Sequence, residues 1–171
     1  MSSAQKPILV VIGPPGAGKS VLGKQIAKNL RVPFVDTDRR IVSKHGPIPQ
    51  IFSEHGEAWF RQAERVEVSK ALTERAVVAL GGGAVLNLET QKELASARVL
   101  LVTVSPEAVE ARLGSSVRPL LTNGLESWKK IASERAEIYQ ALATKTVDGS
   151  ERSIAKLARE VVEWLRHEGE L

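Results

Sequence analysis

The chain predicts an α/β fold, a five-stranded parallel sheet with helices on both faces, and three features of the sequence carry that expectation. Short apolar runs of strand length alternate with longer stretches whose apolar residues recur every three or four positions. No linker or low-complexity segment interrupts the alternation, so the 171 residues read as a single domain over 1–171. The first apolar run, Ile8-Leu9-Val10-Val11-Ile12, leads into Gly13-Pro14-Pro15-Gly16-Ala17-Gly18-Lys19-Ser20 and then a helical pattern, which is the strand, loop and helix order of a phosphate-binding unit.

In chain order, a strand is expected over 7–12, followed by a helix over 19–30 whose Leu22, Ile26, Ala27 and Leu30 share one face. The next strand is 33–36. A helix over 57–74 precedes a strand over 76–80, a strand over 98–104 precedes a helix over 106–113, and a helix over 126–142 precedes a strand over 144–148. The final helix, 153–167, has the clearest stripe: Ile154, Leu157, Ala158, Val161, Val162 and Leu165. In parallel sheets of this kind ligands bind beyond the carboxyl ends of the strands, so the residues after each strand are the ones to examine.

The first of these segments fits G-x-x-x-x-G-K-[ST]. Gly13, Gly16 and Gly18 let backbone N–H groups turn toward phosphate oxygens, and the following helix adds its N-terminal N–H groups and dipole. Lys19 supplies a mobile positive charge, and Ser20 a hydroxyl for Mg²⁺, a hard cation that takes oxygen ligands. A nucleoside triphosphate site is the expectation; a glycine-rich turn with an incidental lysine is the alternative.

Composition narrows the partners. Without cysteine there is neither a disulfide frame nor thiol chemistry, in keeping with a cytoplasmic setting. The early apolar run is too short to span a membrane. The net charge of +4 and the pI near 9.5 raise nucleic acid as a partner. Lys and Arg never run beyond pairs such as Arg39-Arg40, however, and with 4% aromatic residues stacking platforms are scarce. An anionic small substrate accounts for the charge, and no nucleic-acid or membrane partner is expected.

After the second strand stands Asp36-Thr37-Asp38. Carboxylates beside a phosphate loop can serve Mg²⁺ and accept a proton from a hydroxyl nucleophile; they can also cap the helix that follows. After the third strand, Gly81-Gly82-Gly83 is hard to justify unless backbone approaches something closely or adopts positive φ. Arg135 falls within the stripe of Trp128, Ile131, Ala132, Ile138, Tyr139 and Leu142, so it faces inward and needs an anionic partner. Arg61 is open to two readings, an anion ligand or an i,i+3 pair with Glu64 on a solvated face. Arg118 lies between Gly114 and Gly124, in a segment over 113–124 read as a mobile lid closing over phosphates. Tyr139 reads as core, and His45, His55 and His167 are too scattered to bind a metal.

Together the phosphate loop, Asp36-Thr37-Asp38, Gly56-Glu57-Ala58-Trp59-Phe60-Arg61-Gln62-Ala63-Glu64, Gly81-Gly82-Gly83-Ala84, Arg118-Pro119-Leu120-Leu121 and Arg135-Ala136-Glu137-Ile138-Tyr139 resemble the shikimate kinase family. The motifs occur in the family's order over residues 8–140. The resemblance implies a P-loop kinase with a nucleoside-monophosphate-kinase-like fold that moves the γ-phosphoryl of ATP to the 3-hydroxyl of shikimate in aromatic amino-acid biosynthesis. It implies that Asp38, Arg61, Gly81, Gly82, Gly83 and Arg135 hold shikimate, within a substrate-binding segment over 37–62 and beyond it. By the same resemblance Asp38 is the base, Ser20 and Asp36 serve Mg²⁺, and Lys19 and Arg118 act on the phosphates. Gly13, Gly16, Ala17, Gly18, Lys19, Ser20 and Val21 line the nucleotide, and Arg112 flanks adenine. A cytoplasmic monomer is the corresponding expectation.

The sequence departs from the family pattern at Gly46-Pro47-Ile48, where Ser or Thr usually follows the glycine, and near Asp148-Gly149-Ser150, which lacks an obvious proline. Gluconate and nucleoside-monophosphate kinases share the first loop. The former are not expected to carry this glycine turn, and the latter need a base-reading acceptor site that the sequence does not reveal. A non-catalytic nucleotide-binding protein would leave Asp38, Arg61 and Arg135 unexplained.

Overall fold

Each strand-length apolar run forms a strand. A computed structural model of the protein describes residues 6–113, 124–150 and 153–169. Within them β1 (Leu9–Ile12), β2 (Phe34–Asp36), β3 (Val77–Ala79), β4 (Val99–Thr103) and β5 (Lys145–Asp148) form one sheet in the order β2-β3-β1-β4-β5. All neighbouring strands are parallel, with Val10 of β1 in register with Val78 on one side and Val99 on the other. The helices are α1 (Lys19–Leu30), α2 (Thr37–His45), α3 (Ile48–His55), α4 (Glu57–Ala71), α5 (Leu88–Leu94), α6 (Pro106–Leu113), α7 (Leu125–Leu142) and α8 (Ile154–His167).

The central strands read as unbroken apolar runs because both their faces are covered. Leu9 and Val11 pack with Leu22 and Ile26 of α1 and with Leu157, Val161 and Leu165 of α8. The alternate residues Val10 and Ile12 pack on the other face with Val68 of α4, Leu94 of α5 and Tyr139 of α7. Helix α7 joins the two sides: Trp128 lies in the first cluster and Tyr139 in the second. Truncating a fully buried residue such as Leu157 to Ala is expected to cost about 2–5 kcal/mol.

Helices α2, α3 and α5 lie outside the five helices read from apolar periodicity, although the capping residues at Asp36 also predict a helix after it. Each presents one or two buried residues, too few to produce a readable period. A small separate cluster of Ile41, Ile51 and Phe60 holds α2, α3 and α4 together. Two ion pairs tie α2 to α4 and the turn that follows it: Lys44 with the buried Glu67 of α4, and Arg40 with Glu74 of the turn, where Nη2 donates to Oε2 at 2.9 Å. Helix α3 starts at the point of departure from the family pattern without a side-chain cap. Pro47 precedes it and another proline lies in its first turn, where proline's fixed φ suits a helix start.

Helix α4 ends at Ala71, short of the expected 74. Thr73 Oγ1 donates to the Lys70 carbonyl at 2.7 Å, taking up a carbonyl of the last turn. The strand order brings the ends of β2, β3 and β1 side by side. The aspartates, the triple glycine and the phosphate loop, each following one of these strands, therefore meet at a single edge.

Candidate active site

The phosphate loop turns on glycines whose backbone excludes other residues. Gly16 and Gly18 have φ of 82° and 90°, in the left-handed region, and Gly18 caps α1. Lys19 at the helix start folds back over the loop, its Nζ donating to the carbonyls of Gly13 (2.8 Å) and Pro14 (3.0 Å). Ala17 is buried beneath the loop, and Val21 faces outward with 60% of its surface exposed.

At the end of β2, Asp36 does two things. Its Oδ1 accepts from the Arg39 N–H at 3.2 Å, capping α2, and its Oδ2 accepts from Ser20 Oγ at 2.6 Å. The capping and ligand readings of this residue are thus compatible. The paired hydroxyl and carboxylate form an oxygen-rich corner at the exit of the phosphate loop, which fits a hard cation. Among the described residues no group of three or more acidic or histidine side chains could chelate a metal alone. Mg²⁺ needs none, because it retains waters and binds substrate phosphates. Thr37 is buried, and its hydroxyl donates to Ala79 O at 3.4 Å, holding the turn against β3.

The triple glycine is explained by close approach, with no positive φ at any of the three residues. A Cβ on Gly81 would lie 2.6 Å from Asp38 Oδ1 and 3.0 Å from Glu64 Oε2. One on Gly82 would lie 3.1 Å from Pro15 Cδ and 3.4 Å from Arg135 Nη1. One on Gly83 would overlap the Arg61 guanidinium, 2.5 Å from Nη1. Each glycine makes room for a different side chain, and the turn gathers Asp38, Arg135 and Arg61 around it.

The charges in this cluster are strongly coupled. Arg61 Nη1 donates to Glu64 Oε1 at 2.8 Å, as the i,i+3 spacing allows, but Glu64 is only 3% exposed. The i,i+3 pair therefore exists but is partly buried, with Arg61 half-buried, where the alternative put it on a solvated face. Burial pushes the Glu64 carboxyl above its ordinary range, against the pull of the Arg61 charge and hydrogen bond, and the nearby Asp38 charge pushes it further the same way. Arg135 is inward-facing as expected, at 6% exposure. A cleft of about 370 Å³ between α4 and α7 is lined by Arg135 with Glu57, Leu86, Lys130, Ile131 and Glu134.

Three side chains contribute in ways that sequence patterning did not reveal. Trp128 Nε1 donates to the Pro15 carbonyl of the phosphate loop at 2.7 Å. Tyr139, buried as expected, also donates its hydroxyl to Gly82 O at 2.6 Å. Arg112, singled out for adenine, donates to Gly16 O (2.8 Å) and to Gly149 O (2.6 Å), joining the phosphate loop to the turn after β5. A Cβ on Gly149 would sit 2.6 Å from Ala17 O, so those two turns are in close contact. Arg118 lies outside the described residues, as does the lid expected over 113–124 except at its two ends.

A kinase-like phosphate loop facing a basic pocket with a buried carboxylate accords with what the chain resembles. The family model for shikimate kinase matches residues 15–166. The shikimate kinase of Thermobifida fusca (strain YX) is 40% identical over 171 residues, 98% of this chain and 99% of that one. That of Salinispora tropica is 43% identical over 160 residues, 91% and 95% of the two chains. Among solved structures, shikimate kinase from Acinetobacter baumannii in complex with shikimate has a TM-score of 0.90 at 28% identity, covering 96% of each chain. A gluconokinase from Sinorhizobium meliloti, at 18% identity and a TM-score of 0.61, shares the fold alone. With its sheet, its phosphate loop and nearly its whole length held in common with these enzymes, the chain belongs to the shikimate kinase family, ATP-dependent phosphotransferases with a hydroxyl acceptor.

Proposed function

We propose that the residues gathered at the ends of β1, β2 and β3 carry the γ-phosphoryl of ATP to the 3-hydroxyl of shikimate. Arg61 and Arg135 hold the shikimate carboxylate by charge-assisted hydrogen bonds, and the N–H groups of Gly81 to Gly83 line the ring. Asp38 orients the attacking hydroxyl and accepts its proton. In a loose phosphoryl transfer this group aligns the nucleophile as much as it deprotonates it. Lys19 and the loop N–H groups of Gly13, Gly16 and Gly18 hold the phosphates, and Arg118 adds charge when the transferring group moves. Ala17, Val21 and Arg112 complete the nucleotide side.

Ser20 and Asp36 would hold Mg²⁺, which would supply charge neutralisation for the phosphates. A monomer in the cytoplasm belongs to the same proposal; the absence of cysteine suits a reducing compartment.

The observation that supports this reading best is the triple glycine, whose three missing side chains admit Asp38, Arg135 and Arg61 to one pocket. The test separates the two aspartates. Asp38→Asn is expected to lower turnover by about 10² to 10⁴ with Mg·ATP binding preserved, whereas Asp36→Asn should raise the Mg²⁺ concentration needed for activity. A metal defect in the Asp38 variant and an acceptor defect in the Asp36 variant would reverse the two roles.

A further inference from the structure

Tyr139 is the single tyrosine in the chain, and its ring sits in the core cluster behind the acceptor pocket. Its hydroxyl does not stop at packing. It donates to Gly82 O at 2.6 Å, and the guanidinium of Arg135, one turn earlier on the same face of α7, lies beside the same glycine, its Nη1 3.4 Å from where a Gly82 Cβ would stand. Burial raises the phenol above its ordinary value, so the group remains a neutral donor.

In the turn it holds, the Gly81 and Gly83 carbonyls accept from the Ala84 and Leu86 N–H groups at 3.1 Å each, and the Gly82 carbonyl between them is taken by the tyrosine hydroxyl. Gly81, Gly82 and Gly83 carry no side chains to pack, and glycine has the widest backbone freedom. The Gly82–Gly83 peptide is trans, so pinning its carbonyl toward α7 turns the Gly83 N–H the opposite way, away from the tyrosine hydroxyl. One hydroxyl thus fixes a peptide plane of the glycine turn against which the guanidinium of Arg135 lies.

From this geometry we propose that Tyr139 is a positioning residue for the acceptor: by holding Gly82 O beside the Arg135 guanidinium it sets the arrangement in which the glycine turn and the guanidinium meet shikimate. The inference rests on the reading that Gly81 to Gly83 and Arg135 hold the acceptor. Tyr139 touches no reacting atom, so its effect should fall on acceptor binding more than on the chemical step. Phenylalanine at this position keeps the packing and leaves the Gly82 carbonyl without its donor.

The test uses the full chain. Tyr139→Phe should raise the KM for shikimate roughly tenfold, the effect of leaving buried polar groups unsatisfied. The KM for ATP should change less than twofold, and kcat should fall by less than the shikimate KM rises. Arg135→Ala is measured beside it. Because Tyr139 is the lone tyrosine, uniform incorporation of 3-fluorotyrosine places one fluorine probe there, and its ¹⁹F resonance should move on saturation with shikimate.

A folded Tyr139→Phe enzyme with an unchanged shikimate KM, beside an impaired Arg135→Ala enzyme, would leave the acceptor site standing and overturn the positioning role. Equal rises in both KM values would overturn it too, as a general packing defect. An unchanged shikimate KM in Arg135→Ala would refute the acceptor-site reading itself and the role of Tyr139 with it. Should Tyr139→Phe fail to fold, the fluorine signal decides, and a resonance unmoved by shikimate overturns the proposal.

Discussion

A methyl group added at Gly81 probes the crowding on which the acceptor pocket depends. The new Cβ would stand 2.6 Å from Asp38 Oδ1, 3.0 Å from Asp38 Oδ2 and 3.0 Å from Glu64 Oε2. An ordinary carbon-to-oxygen contact is about 3.3 Å, so the Asp38 carboxylate or the turn must give way by about 0.7 Å. Productive geometry tolerates about 0.5 Å, and a displacement near 1 Å can cost about a hundredfold in rate. Gly81→Ala is therefore expected to lower turnover by about ten- to a hundredfold.

Overpacking of this kind costs about 1–3 kcal/mol, which for a chain of this length corresponds to a fall in Tm of about 2–12 °C. Coupled ADP-release kinetics, with a thermal melt, measure both effects. Turnover within twofold of wild type at an unchanged Tm would refute the reasoning.

Lys19→Ala should nearly abolish turnover while shifting Tm little, since Lys19 is partly buried and its bonds are to two carbonyls of its own loop; single-turnover rates beside a melt check both. Glu64 supplies a pH test. Its folded-state carboxyl is raised above the ordinary 4.5, so its contribution to stability is full below that value and is lost as pH rises through the folded one. The stability of Glu64→Gln relative to wild type should accordingly fall as pH is lowered from about 7 toward 4.5, and denaturant melts showing the opposite trend would contradict the assignment. Glu74 runs the other way, held down chiefly by its hydrogen bond from Arg40, so the stability it contributes is present above 4.5 and is lost as pH falls through its folded value. Glu74→Gln should therefore gain on wild type as the solution is acidified, in the same melts.

The central strands were legible because a parallel sheet covered on both sides leaves each of them a largely apolar run, as in residues 8–12. Helices α1, α4, α6, α7 and α8 were legible through their stripes. Helix α2 was not, since Thr37 and Ile41 are its only buried residues. In the site, the inward course of Arg135 followed from its place in an apolar stripe. The state of Glu64 did not, because an i,i+3 ion pair has the same sequence spacing on a wet face as on a buried one. What buries Glu64 is the approach of the Gly81 turn. The polar ends of Trp128 and Tyr139 were hidden for a related reason: their partners Pro15 and Gly82 lie 113 and 57 residues away, and aromatic residues in a stripe read only as core.

The central claim is that Arg61 and Arg135 form a carboxylate clamp for shikimate, separate from the nucleotide side. Calorimetric titration of the Arg61→Ala and Arg135→Ala enzymes with shikimate, and separately with ATP and Mg²⁺, tests it most directly. A lost charge-assisted hydrogen bond is worth about 1.5–3 kcal/mol, so shikimate should bind about ten- to a hundredfold more weakly to either variant while ATP affinity barely changes. Equal losses for both ligands, or undiminished shikimate binding in both variants, would contradict the clamp.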